Sequence, residues 1–435
     1  MRSLVIGSGG REHALCWALR RENPDAELYC APGNPGTAEI ATNLPIAADD
    51  LDRIADAADM YGIDLTVVGP EVPLARGLAD RLRAEGRAVF GPSAAAAQIE
   101  ASKAFAKQVM SDAGVRTAPS GAFTDLEPAL AFVDRQSEPL VVKASGLAAG
   151  KGAIVCTTRS EAAKAVRWLL DEGGLGDAGQ TVVIESYLEG EELSVMAVTN
   201  GKDVELLPVA QDHKRLLDGD TGPNTGGMGA YSPVSIAGPA LLERVKRDIL
   251  FPTLEQMQRL RAPFTGVLYT GLMIDPSGIP WVIEYNCRLG DPEAQAILPL
   301  LSQGLTDSLW RAARGQPPAR INVARGAAVT TVLASRGYPE RPEKGAEIKV
   351  PDALPSGAIV FHAGTKRGED GALRVDGGRV LTATGLGTTF LEAQRISRQT
   401  AESIQYDGKV FRHDIGRREA ARVQQRRPIG ASQRV

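Results

Sequence analysis

Residues Pro139–Ala153 read P-L-V-V-K-A-S-G-L-A-A-G-K-G-A. A short apolar run with two valines ends on Lys143. It gives way to a loop of glycine, alanine and one further lysine, Lys151. The run reads as a strand and the loop begins where it ends. Backbone N–H groups approach phosphate oxygens closely only where no bulky side chain intervenes. Gly146, Gly150 and Gly152 with Lys151 therefore form a candidate phosphate cradle, and Lys143 is a second cation at its base. The loop is not a Walker A sequence. Gly146 and Gly150 stand one residue too close, and Gly152 occupies the place where Ser or Thr would reach Mg²⁺. A plain surface connection of the same composition is the competing reading.

Downstream, Glu185–Ser194 reads E-S-Y-L-E-G-E-E-L-S between two strand-like runs, Thr181–Ser186 and Leu193–Thr199. The backbone between them can pair with the edge of a purine beside Tyr187 and Leu188, and Glu192 can accept from ribose hydroxyls. Taken alone, the segment also reads as a solvated acidic hairpin. Further on, Val282–Asn286 reads V-I-E-Y-N. Glu284 and Asn286 are two apart on a strand and project from one face. Their oxygens suit Mg²⁺, which takes one or two carboxylates plus substrate phosphates; the bland alternative is one polar face of a half-buried strand. Arg288-Leu289-Gly290-Asp291-Pro292-Glu293 follows at once. An arginine there can stabilise a transferring phosphoryl group or hold a carboxylate.

Toward the N-terminus, the runs Ser3–Gly7, Glu27–Ala31, Leu65–Gly69 and Ala88–Gly91 alternate with helical patterns at Glu12–Arg21, Asp50–Tyr61 and Leu74–Glu85. Such alternation predicts a doubly wound parallel sheet, with ligands outside the carboxyl ends of its strands. Ser8-Gly9-Gly10-Arg11 follows a strand and opens a helix, a ready anion site. Gly33, Asn34 and Glu71 are its neighbours across the sheet ends. A dinucleotide site is disfavoured, because Gly7-x-Gly9-x-x-Glu12 lacks the third glycine.

A helix over Ser102–Asp112 leads into a second α/β region. Glycine and proline are dense from Asp218 to Pro239, which predicts an unusually long loop. A helix at Leu241–Arg261, a hairpin of Val267–Ile274 with Ile279–Cys287, and a helix at Leu298–Arg314 complete that region. From Gly326 the pattern turns to short strands (Ala327–Ser335, Ala358–Ala363, Arg379–Thr384) and one helix, Phe390–Ile404. The predicted division is an N-terminal α/β domain (1–101), a central α+β domain (102–325) with a lid subdomain at about 122–199, a small, mainly antiparallel β domain (326–416), and a frayed basic tail (417–435).

The formal net charge of the 435 residues is −4, unevenly spread. Lys409–Val435 holds eight Lys/Arg against two Asp/Glu, so the preceding body is strongly acidic. That balance argues against whole-molecule attraction to nucleic acid or anionic membrane. No apolar run approaches the roughly 20 residues that span a bilayer. The four cysteines lie far apart in sequence with no C-x-x-C, which excludes a zinc ribbon and fits a reducing, cytoplasmic setting.

The order of lysine, glycine loop with lysine, Glu-x-Tyr-Leu hinge and Glu-x-Asn strand resembles the ATP-grasp superfamily. More narrowly, GSGGREHAL (7–15), APGNPGTA (31–38), VGPEVPL (68–74), KASGLAAGKG (143–152), QDHKR (211–215), DTGPNTGGMGAYSP (220–233) and NCRLGDPEAQ (286–295) occur in this order. Together they are similar to the phosphoribosylamine–glycine ligase family over nearly the whole chain. Two departures stand out: Ser145 where that family usually has Asp, and Leu289 where it usually has Phe.

The resemblance implies nucleotide held between two α+β subdomains and a ligation of glycine to 5-phosphoribosylamine by way of glycyl phosphate, in de novo purine biosynthesis. It implies that Lys103, Lys143 and Lys151 contact phosphates with Gly146, Gly150 and Gly152. Glu185, Tyr187 and Leu188 would hold adenine, Glu192 ribose, and Glu284 with Asn286 the Mg²⁺ or Mn²⁺ ion. Lys151 and Arg288 are the implied catalytic cations, and Arg288 alternatively binds the glycine carboxylate. Ser8, Gly9, Gly10, Arg11, Gly33, Asn34, Glu71, Asp212, Asp291 and Pro292 are the implied substrate contacts. Many ATP-grasp enzymes place a second metal carboxylate on the partner strand, where this chain reads Thr270-Gly271-Leu272-Met273; Asp212 and Asp291 are the candidates to supply it. His213, inside QDHKR, is a further candidate, whereas His13 at a helix start reads as structural. Pro223–Gly229 is the expected mobile loop near the acceptor. The implied partners are small molecules only, with no nucleic acid, membrane or obligate protein partner, and the expected state is a monomer. The open alternatives are a ligase for another amino acid or amine and a non-catalytic nucleotide-binding protein.

Overall fold

The computed structural model describes residues 1–148 and 152–425. Strands β1 (Arg2–Gly7), β2 (Glu27–Pro32), β3 (Thr42–Asn43), β4 (Leu65–Val68) and β5 (Ala88–Phe90) form one sheet in the order β3-β2-β1-β4-β5, every neighbour parallel. From Ser3 onward β1 is buried, as an apolar run at the centre of a parallel sheet must be. Helices α1 (Gly10–Glu22) and α2 (Leu51–Met60) pack against it. The helix expected at Leu74–Glu85 is two, α3 (Glu71–Ala75) and α4 (Leu78–Ala84), because Gly77 between them takes φ +88°. Helix α5 (Ala94–Ala101) was hidden in an alanine run without apolar periodicity, and Ser93 Oγ caps it on Ala96 N–H. Ser102 then caps α6 (Lys103–Asp112) on Phe105 N–H.

Next comes a compact α+β unit, the segment expected to be the lid. Strand β6 (Ser120–Phe123), helix α7 (Leu126–Asp134), strands β7 (Leu140–Ala144) and β8 (Ala153–Cys156), helix α8 (Arg159–Leu170) and strand β9 (Val182–Ser186) build an antiparallel sheet in the order β6-β9-β7-β8. It encloses its own core around Val142, Val166, Leu169 and Ile184.

After Ser186 the chain enters β10 (Glu191–Thr199) and β11 (Val204–Leu206). The glycine-rich stretch beyond is not one loop. It contains β12 (Gln211–Asp212), β13 (Arg215–Leu217), β14 (Thr221–Asn224) and the fully buried β15 (Gly229–Ser232). The composition misleads because a glycine here serves close sheet contact: a Cβ on Gly229 would lie 2.6 Å from Thr330 O. Helices α9 (Pro239–Val245) and α10 (Phe251–Arg259) are joined by one π turn into the expected long helical stretch. The hairpin β16 (Gly266–Ile274) and β17 (Pro280–Asn286) completes an antiparallel sheet, β11-β10-β16-β17.

The helix expected at Leu298–Arg314 is also broken. Helix α11 (Glu293–Ile297) precedes a 3₁₀ turn and β18 (Leu301–Gln303), and α12 (Leu305–Ala313) starts only after Gly304 at φ +93°. Strand β18 pairs with β19 (Asn322–Val323). The C-terminal region adds β20 (Ala327–Ser335), β21 (Ala358–His362), the small hairpin β22 (Thr365–Arg367) and β23 (Leu373–Val375), β24 (Arg379–Gly387), helix α13 (Phe390–Ser403) and β25 (Lys409–Val410). Its main sheet, β12-β15-β20-β24-β21 with β25 on β20, takes two strands from the middle of the chain. The expected tail begins instead as helix α14 (Arg417–Gln425), with Glu419 buried; residues 426–435 lie outside the described ones.

Candidate active site

The antiparallel neighbours β9 and β7 each contribute to a buried cluster of charge. Glu185 lies between Lys143, with which it forms an ion pair, and Lys107, whose Nζ is 2.6 Å away. Lys107 also donates to Thr117 Oγ1 at 2.8 Å, and Lys143 to Ile283 O at 3.3 Å. Burial pushes the acidity of Glu185 toward neutral, but the two ammonium groups outweigh it and hold the carboxyl below its ordinary range. The side chain of Glu185 therefore faces two lysines. Lys107 was not anticipated, because one more lysine on a polar helix carries no signal in sequence.

The cradle is also partly committed. Gly146 donates its N–H to Ala178 O at 3.0 Å, so this amide is not free for a phosphate, and its lack of a side chain serves the close approach of Ala178. Ser145 Oγ accepts from Ala104 N–H at 3.0 Å, a first-turn contact at the start of α6. Lys103 Nζ lies 3.3 Å from Gly146 O, and burial lowers its pKa. Gly152, the last glycine of the cradle, is buried; Gly150 and Lys151 lie outside the described residues. Tyr187 is exposed and Leu188 half-buried beyond the end of β9, which suits an adenine face.

Across the cleft, Lys214 Nζ sits 2.6 Å from Glu192 and 3.9 Å from Glu284. Burial opposes its charge, yet Glu192, Asp212 and Glu284 raise its pKa well above the lysine range. Burial likewise works against an ionised Glu284, but Lys214, Lys143, Lys103 and Arg288 hold it below the usual carboxylate range. Lys214 stands in QDHKR, the motif that could have revealed it. Asp212 is pushed the other way, by burial first and then by Glu293, Glu192 and Glu284, with Lys214 opposing. Its pKa is thereby raised well above the usual carboxylate range. Among the described residues no three His, Cys, Asp or Glu side chains gather as a metal-holding group. Glu284 and Asn286 nevertheless fit one Mg²⁺: Glu284 is ionised, faces the cleft and accepts no hydrogen bond from any described residue.

Below this lies the junction with the N-terminal sheet. The half-buried Arg288 donates to Glu100 at 2.7 Å, Glu71 at 3.3 Å, Leu289 O at 3.2 Å and Asn286 Oδ1 at 3.5 Å. Four of its five N–H donors are thus committed. It cannot offer a free fork to a carboxylate or phosphoryl group without breaking one of these bonds, contrary to the expectation. Glu71 is likewise spent on Arg288, and Glu100, at the end of α5, was not anticipated. Asp291 pairs with Arg379 at 2.9 Å and accepts from Gln295 at 2.8 Å. Burial resists its charge, but Arg379, Arg11 and Arg288 keep it ionised. Arg379 also donates to Asp291 O at 2.7 Å and to Gly226 O in the glycine loop. Pro292 packs against that loop, 2.4 Å from where a Cβ on Gly227 would lie.

The loop after β1 turns out to be braced from several sides. Glu12 accepts from Gly9 N–H at 2.7 Å, occupying the helix N-terminus expected to bind an anion, and pairs with Arg11 at 2.6 Å. Gly10 stands beside Gln295 and Thr382. Ser8 O accepts from Asn34 Nδ2 at 2.8 Å; that amide also bonds His362 O, and its Oδ1 accepts from Gly36 and Thr37 N–H. Asn34 is committed to loop architecture and not free for substrate. Gly33 is fixed at φ +72° against Asn43. His13 accepts from His362 N–H at 2.8 Å, and burial lowers its pKa to about 3. His213 accepts from Gly416 N–H at 3.2 Å, and burial lowers it to about 4.

Comparison with known proteins agrees with this architecture. Family models described as phosphoribosylglycinamide synthetase match in three parts: N domain over residues 1–100, ATP-grasp (A) domain over 101–294 and C domain over 328–418. A phosphoribosylamine–glycine ligase of Ralstonia nicotianae is 48% identical over 421 residues, 96% of this chain and 99% of the relative. One from Nostoc sp. is 47% identical over 96% of this chain and 99% of its own length. A crystal structure of phosphoribosylamine–glycine ligase from Thermotoga maritima superposes with TM-score 0.84 at 35% identity, covering 95% of this chain and all of that one. The biotin carboxylase domain of Hydrogenobacter thermophilus 2-oxoglutarate carboxylase, at TM-score 0.71 and 17% identity, shares the fold alone, with 94% of this chain and 91% of that chain covered.

Proposed function

Since the chain belongs to the phosphoribosylglycinamide synthetase family, we infer that the charged cleft between lid and core is where it works. The protein is an ATP-dependent ligase that joins glycine to phosphoribosylamine in purine biosynthesis. It uses ATP and a divalent metal, which we take to be Mg²⁺, although Mn²⁺ suits the same oxygens. The domain division drawn from sequence belongs to this reading, with the lid at β6–β9 covering the nucleotide. So do a cytoplasmic location and a monomeric state; among the described residues no helix is long and apolar enough to cross a membrane.

A carboxylate resists attack by an amine because its leaving group would be oxide. Transfer of the γ-phosphoryl group to glycine gives glycyl phosphate, from which phosphate departs when the ribosylamine nitrogen attacks the acyl carbon. The protein's share is positioning and charge stabilisation. Tyr187 and Leu188 offer the adenine face, and Glu192 the ribose acceptor. Lys103, Lys143 and Lys214 stand where phosphate charge would gather, with Lys151 from the cradle. Glu284 and Asn286 would hold Mg²⁺, which when bound offsets charge on the transferring phosphoryl group. Arg288 and Asp291 form the floor on which the acceptor side is built, beside Ser8–Arg11.

The observation that carries this reading is the pairing of Lys214 with Glu192 and Glu284, which brings ribose and metal candidates to one cation. ADP release assayed across a panel of amino acids, with 5-phosphoribosylamine as acceptor, tests it. Turnover with glycine is expected; turnover with another amino acid and none with glycine would overturn it.

A further inference from the structure

The basic end of the chain has no place in the chemistry above, yet it reaches the nucleotide side of the cleft. Helix α14 is docked by its own charges. Glu419, buried, accepts from both the N–H and the hydroxyl of Ser235, at 3.1 and 2.9 Å. Arg418 lies 3.4 Å from Asp220. The fully buried Arg412, just before the helix, binds Asp220 and Asp414 at 2.9 and 2.8 Å and donates to Arg215 O at 3.1 Å. Gly416 N–H reaches His213, next to Lys214. Arg422, last of the series, forms an ion pair with Glu191.

Glu191 is the first residue of β10, immediately after the link from the lid. That link ends at Gly190, where φ is +154° and a Cβ would lie 2.1 Å from Ile274 O. The backbone there is pressed against β16 and turns the chain from the lid sheet into the core sheet. Successive residues of a strand face opposite sides. With Glu191 turned to α14, Glu192 is turned to Lys214 and the cleft. The charge on Arg422 thus holds the near end of β10 from behind, while the adjacent residue presents its carboxylate to the nucleotide.

We propose that Arg422 is a positioning residue for ATP: through Glu191 it fixes the start of β10 so that Glu192 meets the nucleotide. This rests on the placement of the ribose at Glu192 given above. The role differs from general bracing because it predicts an effect confined to one substrate. In Arg422→Met, KM for ATP rises about tenfold, the scale of one lost charge-assisted bond, while kcat and the KM for glycine stay within about twofold. Arg422→Lys recovers most of the ATP affinity. Glu191→Gln reproduces the Met phenotype, and the double variant Glu191→Gln with Arg422→Met is no worse than either single. Steady-state kinetics of the full chain, with thermal melts of each variant alongside, reads all of this. An unchanged ATP KM in Arg422→Met would overturn the proposal, as would an equal rise in all substrate KM values accompanied by a lowered melting temperature. Glu192→Ala separates the two levels. If it raises the ATP KM and Arg422→Met does not, the ribose placement stands and the positioning role falls. If Glu192→Ala leaves the ATP KM unchanged, both fall.

Discussion

Replacing Glu185 by Gln should loosen the lid without removing a single apolar contact. The carboxylate is buried and holds two ammonium groups, Lys143 and Lys107, the latter at 2.6 Å. Gln preserves volume but leaves two like charges facing each other in a site that excludes water. Breaking a buried pair by removing one partner costs about 3–5 kcal/mol. At roughly 1.4 kcal/mol per decade, the lower bound is about two decades in an opening equilibrium. Native-state hydrogen exchange reads this locally, on the amides of β7 and β9. Their protection should fall about a hundredfold in the variant while β1 and β4 keep theirs. Adding Lys107→Met should recover part of the loss, since the cluster returns to a single excess charge. Acid supplies an independent check. The folded carboxyl is shifted below its ordinary range, so its stabilisation is complete above the unfolded value near 4.3 and is lost as pH falls through the lower folded value. Wild type should converge on the variant in that acid window. A loss of protection under about tenfold, or a gap between wild type and variant that persists at low pH, would refute the reasoning.

Two further outcomes follow from the same geometry. Glu284→Gln removes the ionised carboxylate that faces four cations, so turnover should fall by a factor on the order of a thousand at saturating ATP; near-normal rates at high Mg²⁺ would remove Glu284 from the metal site. His13, His213 and His362 all have pKa values lowered by burial, to about 3, 4 and 4. Between those values and the unfolded value near 6.5 the unfolded chain binds more protons, so stability should fall with decreasing pH by up to about 1.4 kcal/mol per unit for each histidine. Proton uptake on unfolding at pH 5, measured by calorimetry in buffers of different ionisation enthalpy, should approach one proton per histidine; no uptake would contradict the neutral assignment.

The fold was legible wherever a periodic pattern ran unbroken. The parallel alternation of the first ninety residues, the hairpin at β16–β17 and the strand before the glycine loop all read correctly. It was least legible where glycine served packing and not turning. β15 hides in Gly229-Ala230-Tyr231-Ser232 because its neighbour Thr330 leaves no room for a side chain. Likewise α14 reads as tail because six of its nine residues are charged or Gln and its anchors, Asp220, Glu191 and Ser235, are distant in sequence.

The candidate site was legible as a set of residue types and illegible as a set of free groups. Its cations were expected to await phosphate or carboxylate. The structure gives each of those it describes in the cleft an acidic or carbonyl partner: Lys107 and Lys143 share Glu185, Lys214 bridges Glu192 and Glu284, Arg288 spans Glu71 and Glu100, and Arg379 holds Asp291. An unpaired buried cation is costly, so positive charge gathered for an anionic substrate must be matched by carboxylates while the substrate is absent. The negative residues do not oppose the anionic substrate; they keep the lysines and arginines charged and in place until it arrives. Motifs announce the cations because these sit together in short stretches, whereas their partners come from other strands and helices. Arg288 draws on α3 and α5, and Lys214 on β10 and β17, and no local pattern could pair them.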